Sequence, residues 1–317
     1  MEYRYSGKSG LQLPLISLGL WHNFGSVDPY DNARAMLLRA WEQGITHFDI
    51  ANNYGPEPGS AETTFGRVLR EDLAAHRDEM IISSKAGYLM WNGPYGDGGS
   101  RKYLMASCNQ SLRRTGLDYF DIFYSHRYDP NTPIEETMQA LVDIVHAGKA
   151  LYAGISNYPV DKQQECYDYL RAAHVPCVIS QYKANMLFED TLRNNLSVAE
   201  ANGSGFICFS PLAQGLLTDR YLHGIPEGSR ATKEVFLHRA QITEDVIART
   251  RRLSEIAASR GQSVAQMALA WLLAHEGVTS VIVGASSVAQ LDNNLHSVNN
   301  ITFSEHELQA IRRAIAE

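Results

Sequence analysis

The sequence predicts an α/β fold closed as a (β/α)8 TIM barrel, with an N-terminal β-hairpin and an extra C-terminal helix. Three observations carry that reading. Short apolar runs rich in β-branched residues alternate with amphipathic stretches at a spacing of roughly 30 residues, the pattern of parallel strands joined by right-handed helical crossovers. No Pro/Ser/Gly-rich linker divides the 317 residues, so 1–317 reads as a single domain. No G-x-G-x-x-G follows the first strand, which counts against the alternative, a doubly wound open sheet.

The elements follow in order. Tyr3 to Leu15 reads as a hairpin turning at Ser6–Gly10, placed to cap the closed end of the barrel. The strands are assigned to Ile16–Leu20, Ile45–Asp49, Met80–Lys85, Tyr119–His126, Ala150–Ser156, Cys177–Gln181, Gly205–Ser210 and Ser280–Gly284. Helices are assigned to 30–43, 60–73, 101–115, 134–147, 160–173, 190–202, 262–275 and 287–298. Two stretches break the rhythm, the Gly-rich 86–100 and the longer 211–242, and both are read as functional loops on the catalytic rim. Ser304–Ala316 reads as the last helix, N-capped by Ser304 with Glu307 completing a capping box.

Composition limits the function classes. The chain is 44% hydrophobic and 20% charged, with a formal net charge of -7, which argues against a nucleic-acid partner held by bulk charge. No apolar stretch reaches the roughly 18 residues of a membrane span, and MEYRYSGKSG lacks the apolar centre of a signal peptide. Cys108, Cys166, Cys177 and Cys208 show no C-x-x-C spacing, so neither a disulfide framework nor a zinc site is expected, and a cytoplasmic, reducing setting is.

The chemistry is organised around GITHFDIANNYG. Asp49 ends a buried strand, and Tyr54 stands in the turn just after it. A buried carboxylate needs a partner, and Lys85, at the end of the next strand, supplies one; His126 ends the strand after that. In a parallel barrel these ends meet on one rim. A phenol titrates near 10, and an ammonium beside it favours phenolate, so Lys85 is expected to lower the pKa of Tyr54. His126 would hold a carbonyl oxygen beside Tyr54. Such a set protonates an oxygen as its carbon gains a hydride. His47, two residues before Asp49, points to the same face and reads as a buried hydrogen-bonded histidine. A metal hydrolase using His22, His47, Asp49 and His126 is the alternative, but no second histidine accompanies His22 on the first strand.

Asp49, Tyr54, Lys85 and His126, in this order, resemble the tetrad of the aldo-keto reductases. Gly44, His47, Asp49, Ala51, Glu62 and Gly66 fit the family's signature, although Pro56–Ala61 lengthens the loop between Tyr-Gly and Glu62. YGPEPGSAE and KAGYLMWNGPYGDGGSRKYL are similar to the bacterial branch near the potassium-channel β-subunits. The resemblance implies reduction of small aldehydes or ketones such as glyceraldehyde 3-phosphate or methylglyoxal. It also implies NADPH as cofactor, with NADH as the alternative, and an assembly of several copies of the chain. Another function in the same branch is an NADPH-sensing regulatory subunit with slow turnover.

The resemblance assigns the cofactor to Trp21, Asp49, Ser156, Asn157, Gln181, Phe209, Ser210, Leu212, Gln214, Gly215, Arg220, Arg230, Gly284, Ser286, Gln290 and Asn294. Ser156, Asn157 and Gln181 would hold the carboxamide, Phe209 would stack on the nicotinamide, and the arginines would meet phosphates. Backbone N–H groups at the helix start after Gly284 favour phosphate. Trp21, Tyr54, Trp91 and His126 would wall the substrate. Four positions depart from the branch: Ser287 replaces arginine or asparagine, Asn293 replaces glutamate, and Ala184 and Glu189 replace tyrosine and arginine. The first weakens the case for a 2′-phosphate, the second alters the adenine contact, and the last two weaken the case for a phosphorylated substrate. The family's C-terminal closing loop is not found after Ala316, so an open site is expected.

Overall fold

The computed structural model describes residues 1–222, 224–226, 229–233 and 237–316, without the side chains of Arg230 and Lys233. Strands β1 (Tyr3–Tyr5) and β2 (Gln12–Pro14) form an antiparallel hairpin, with Tyr3 opposite Pro14. The barrel then begins with β3 (Ile16–Gly19), α1 (Tyr30–Glu42), β4 (His47–Asp49), α2 (Ser60–Val68), β5 (Ile81–Ala86), α3 (Arg101–Thr115) and β6 (Phe120–Ser125). It continues with α4 (Ile134–His146), β7 (Ala150–Ser156), α5 (Val160–Ala172), β8 (Cys177–Lys183), α6 (Asp190–Ala201) and β9 (Gly205–Phe209). After the short α7 (Arg230–Lys233) come α8 (Glu244–Ser259), α9 (Val264–Leu273), β10 (Val278–Val283), α10 (Val288–Leu295) and α11 (Glu305–Ala316). Strand β10 pairs with both β9 and β3, so eight parallel strands close, as the alternation predicts.

Two cores result. Between strands and helices lies an outer layer that includes Leu18, Phe48, Ile82, Phe123, Phe206 and Val281. Inside the barrel a smaller cluster joins Ile122, Tyr124, Ile179, Ile207 and Ile282 to Leu11 and Leu13 of the hairpin, which plugs the amino-terminal end. Ser6 donates from Oγ to the Val178 carbonyl at 2.8 Å, and Arg4 from Nη1 to the carbonyls of Leu273 and Val278, which pins the plug.

Helix α8 has no counterpart among the helices expected from periodicity, which place none over residues 243–261. Its cap was legible: Thr243 accepts from the Val246 N–H at 3.2 Å, with Glu244 and Asp245 in the first turn. It packs against α11, which begins with the expected box: Ser304 N–H donates to Glu307 Oε2 at 2.7 Å, and Glu307 N–H to Ser304 Oγ at 3.3 Å. The single helix expected at 60–73 ends at Val68 and passes into a π turn, Leu69–Leu73, and a 3-10 turn, Ala74–Glu79.

Candidate active site

Asp49 is the last residue of β4 and Lys85 lies near the end of β5, whose register sets Asp49 opposite Ser83. Residues two apart on a strand share a face, so Ser83 and Lys85 both reach Asp49. Lys85 Nζ donates to Asp49 Oδ2 at 2.7 Å and to the Ile50 carbonyl at 2.7 Å. Asp49 Oδ1 accepts from Ser83 Oγ at 2.7 Å and Gln181 Nε2 at 3.1 Å. A buried ion pair endures when its remaining lone pairs are satisfied, and these bonds meet that condition.

Tyr54 is held by its backbone. Its N–H donates to the Ala51 carbonyl at 3.1 Å, and its carbonyl accepts from Gly59 at 3.2 Å and Ala61 at 3.3 Å, so the lengthened loop folds back onto it. Gly55 and Gly59, with φ of 84° and 92°, permit that turn. The Lys85 ammonium lies 4.9 Å from the Tyr54 ring centre. His126 follows β6, and its ring meets Tyr54 edge to face at 5.9 Å. Asn157, left-handed with φ 57°, donates from Nδ2 to the His126 carbonyl at 3.2 Å and to Ser156 Oγ at 3.1 Å. Ser156 and Asn157 thus brace His126.

The electrostatics correct one expectation. Burial first, then the Asp49 carboxylate, hold Tyr54 well above the ordinary phenol range, so the hydroxyl is kept protonated and Lys85 does not lower it. Lys85 bonds to Asp49 and Ile50 and meets Tyr54 through the ring, where its charge is screened by its partner. Burial lowers Lys85 and Asp49 opposes that shift. Burial, then the charges of Lys85 and Arg127, hold His126 well below 6.5, so its imidazole is neutral. The same is true of His47, lowered to about 4 chiefly by burial. Both His47 ring nitrogens face serine hydroxyls, and among the described residues no His/Cys/Asp/Glu group could hold a metal ion.

From this centre an open cavity of about 440 Å³ runs across the carboxyl-terminal rim. Trp21, Asp49, Tyr54, Phe209, Ser210, Leu212, Gln214, Gly215, Arg220, Gly284, Ser286, Gln290 and Asn294 all line it. The backbone there is unusual: Ser210, Ala213 and Gln214 have φ of 53°, 46° and 59°, a conformation that non-glycine residues keep only where surroundings impose it. A dinucleotide fits two further features. The buried Asn294 Nδ2 has no hydrogen-bond partner, and a Cβ built on Gly284 would enter open space. Ser287 caps α10, accepting from the Gln290 N–H at 3.2 Å. Arg230 cannot be placed at this site, because its side chain lies outside the described residues.

Of the residues expected at the cofactor or substrate, Ser156, Asn157, Gln181, His126 and Trp91 are not among those lining the cavity. Trp91 packs on Tyr103 with ring centres 5.4 Å apart. The loop presents Tyr88 instead, edge-on to His126 at 4.6 Å. Arg127 clamps that loop, donating from Nε to the Gly87 carbonyl at 2.7 Å and from Nη2 to Asp97 at 2.8 Å. The lining also includes Ser263, Val264 and Ala265 at the start of α9, which the sequence reading did not include. The Ser263–Gln266 capping box marks that helix start, but only barrel closure sets it beside α10.

A parallel barrel whose rim carries a buried ammonium–carboxylate pair, a protonated phenol and a neutral imidazole has the layout of a carbonyl oxidoreductase. The Aldo/keto reductase family profile matches residues 15–316, and the chain belongs to that family. It is 56% identical to an L-glyceraldehyde 3-phosphate reductase of Escherichia coli O157:H7 over 100% of this chain and 93% of that protein. Identity to the protein of that name from strain K12 is 55%, with the same coverage. A probable voltage-gated potassium channel subunit beta of Arabidopsis thaliana is 34% identical over 95% of this chain and 92% of that protein. The chain is an oxidoreductase of the aldo-keto reductase type.

Proposed function

We propose that the protein reduces small aldehydes with NADPH, glyceraldehyde 3-phosphate or methylglyoxal-like compounds among them, and that Tyr54 is the proton donor. The observation that carries this is the convergence of the Asp49–Lys85 pair and the His126 ring on Tyr54, which with Asp49 lines the open cavity. When bound, NADPH supplies the hydride. The chain supplies position and a proton. Phe209 and Trp21 flank the head of the cavity, and His126 offers a neutral ring to a carbonyl oxygen. Tyr54 releases its proton to that oxygen as negative charge develops there, and the Asp49–Lys85 pair packs beneath its ring. Holding reactants in place can itself save roughly 7–11 kcal/mol of barrier.

Arg220, Ser286, Gln290 and Asn294 would hold the adenosine and phosphate end. The name of the bacterial relatives supports a three-carbon phosphorylated aldehyde. The kinship with channel β-subunits supports a second reading, a nucleotide sensor with slow turnover. Single-turnover oxidation of bound NADPH by a panel of aldehydes separates them. Fast, saturable oxidation is expected; tight binding with negligible oxidation by every aldehyde would overturn the reductase reading.

A further inference from the structure

Among the buried titratable groups this mechanism leaves unused, one adjoins the reacting set. His47 has none of its surface exposed and stands two residues below Asp49 on β4. Its Nδ1 is 2.8 Å from Ser17 Oγ and its Nε2 is 3.0 Å from Ser83 Oγ. Ser17 Oγ lies 2.7 Å from Ser280 Oγ, and Ser83 Oγ lies 2.7 Å from Asp49 Oδ1. These side chains come from β10, β3, β4 and β5, consecutive around the barrel, and form a buried polar chain beside the apolar inner cluster.

Proton counting gives the chain a direction. Each hydroxyl carries one proton, and a neutral imidazole carries one on its ring nitrogens. The Asp49 carboxylate only accepts, so Ser83 gives its proton there, in a charge-assisted bond. Ser83 then offers His47 lone pairs only, so Nε2 must carry the ring proton. Nδ1 is left an acceptor and takes the proton of Ser17, which accepts in turn from Ser280. The competing acceptor for Ser280, the Leu15 carbonyl at 3.3 Å, already takes the Val281 N–H at 2.9 Å. Every donor therefore points toward Asp49.

We propose that His47 is a positioning residue for the reaction: as the Nε2–H tautomer it fixes the Ser83 hydroxyl on Asp49 Oδ1, and so sets the carboxylate that holds Lys85 beneath Tyr54. The burial that keeps the ring neutral works in the same direction. The catalytic consequence rests on the reading of Tyr54 as proton donor; the tautomer does not, and is measured without turnover.

The test begins with histidine labelled with ¹⁵N in the whole protein, the His47 signals being assigned by their loss in His47→Gln. At neutral pH a protonated Nε2 and a bare Nδ1 are expected. A protonated Nδ1, or a doubly protonated ring, overturns the proposal. Ser83→Ala and His47→Leu should then lose roughly ten- to hundredfold in kcat, the worth of one bond to a charged group, with the NADPH dissociation constant unchanged. His47→Gln keeps an N–H donor for Ser83 and should recover most of that loss. Wild-type kcat in folded Ser83→Ala with a lowered Tm would reduce the chain to a structural one. If Tyr54→Phe stays active while the tautomer is as expected, the mechanism fails and the chain's direction survives.

Discussion

Tyr54 is a phenol that its surroundings keep protonated, and this decides what each substitution near it should do. Tyr54→Phe removes only the hydroxyl, so NADPH binding should stay near normal while reduction falls by about 10²–10⁴. Wild-type kcat in that variant would remove Tyr54 from proton transfer. Because the folded pKa lies well above 10, the proton is present throughout the neutral range and is lost only above it. Reduction should therefore show no basic limb from Tyr54 up to about pH 9. A limb at pH 8 in the wild type that vanishes in Tyr54→Phe would contradict this. Lys85→Met leaves Asp49 buried without its cation, which should cost on the order of 3–5 kcal/mol and most of the activity. The double variant Asp49→Asn/Lys85→Met restores charge balance and should regain stability but not turnover. If thermal unfolding shows no such recovery, the pair is not the source of the loss.

At the scale of elements, two loops and two helix starts build what the tetrad needs. The loop after β5 is tied to the end of β6 by Arg127 and by Asp129, whose Oδ2 accepts from the Gly99 N–H at 2.8 Å. That tie sets Tyr88 against His126. The loop after β9 runs along the cavity in left-handed turns and carries Arg220, the one Lys or Arg among the described lining residues. Arg220→Ala should weaken NADPH by roughly tenfold or more, since bonds from a cation to phosphate are among the stronger polar contacts. Fluorescence titration with NADPH and NADH reads the position. A loss confined to NADPH puts the guanidinium on the 2′-phosphate, and an equal loss puts it on the pyrophosphate. No loss with either takes Arg220 out of the site.

For the whole molecule, the polar chain inside the barrel has a cost in acid. His47 and His126 are held neutral, with pKa values below the 6.5 of an unfolded histidine. Between the two values the unfolded chain binds more protons, so stability is present above pH 6.5 and is lost as pH falls toward the folded values. For His47, moving from 6.5 to about 4, the loss by pH 4 is about 3 kcal/mol. Urea unfolding between pH 7 and pH 4.5 should show this slope, and His47→Gln should flatten it. An equal slope in that variant would place the proton uptake elsewhere.

Much of this was determined by the sequence alone. The period of strands and helices leads to a closed barrel, and the residues at three successive strand ends lead to Asp49, Lys85 and His126, because strand polarity places every such end on one rim. Tyr54 followed from its turn. Local pattern also marked the start of α10, whose Ser286, Ser287 and Gln290 line the cavity. What tertiary structure decided is whatever depends on which strands become neighbours. Closure through β10 and β3 sets Ser280 and Ser17 beside His47, residues more than 230 apart at the extremes of the chain of bonds. It sets Ser263 of α9 across from α10. Whether Trp91 or Tyr88 turns toward His126 depends on Arg127 and Asp97, which no spacing reveals. The sign of the shift at Tyr54 belongs to the same class. Residue types alone suggest an ammonium tuning a phenol, whereas burial depth and the ammonium's commitment to Asp49 exist only once the barrel has closed around them.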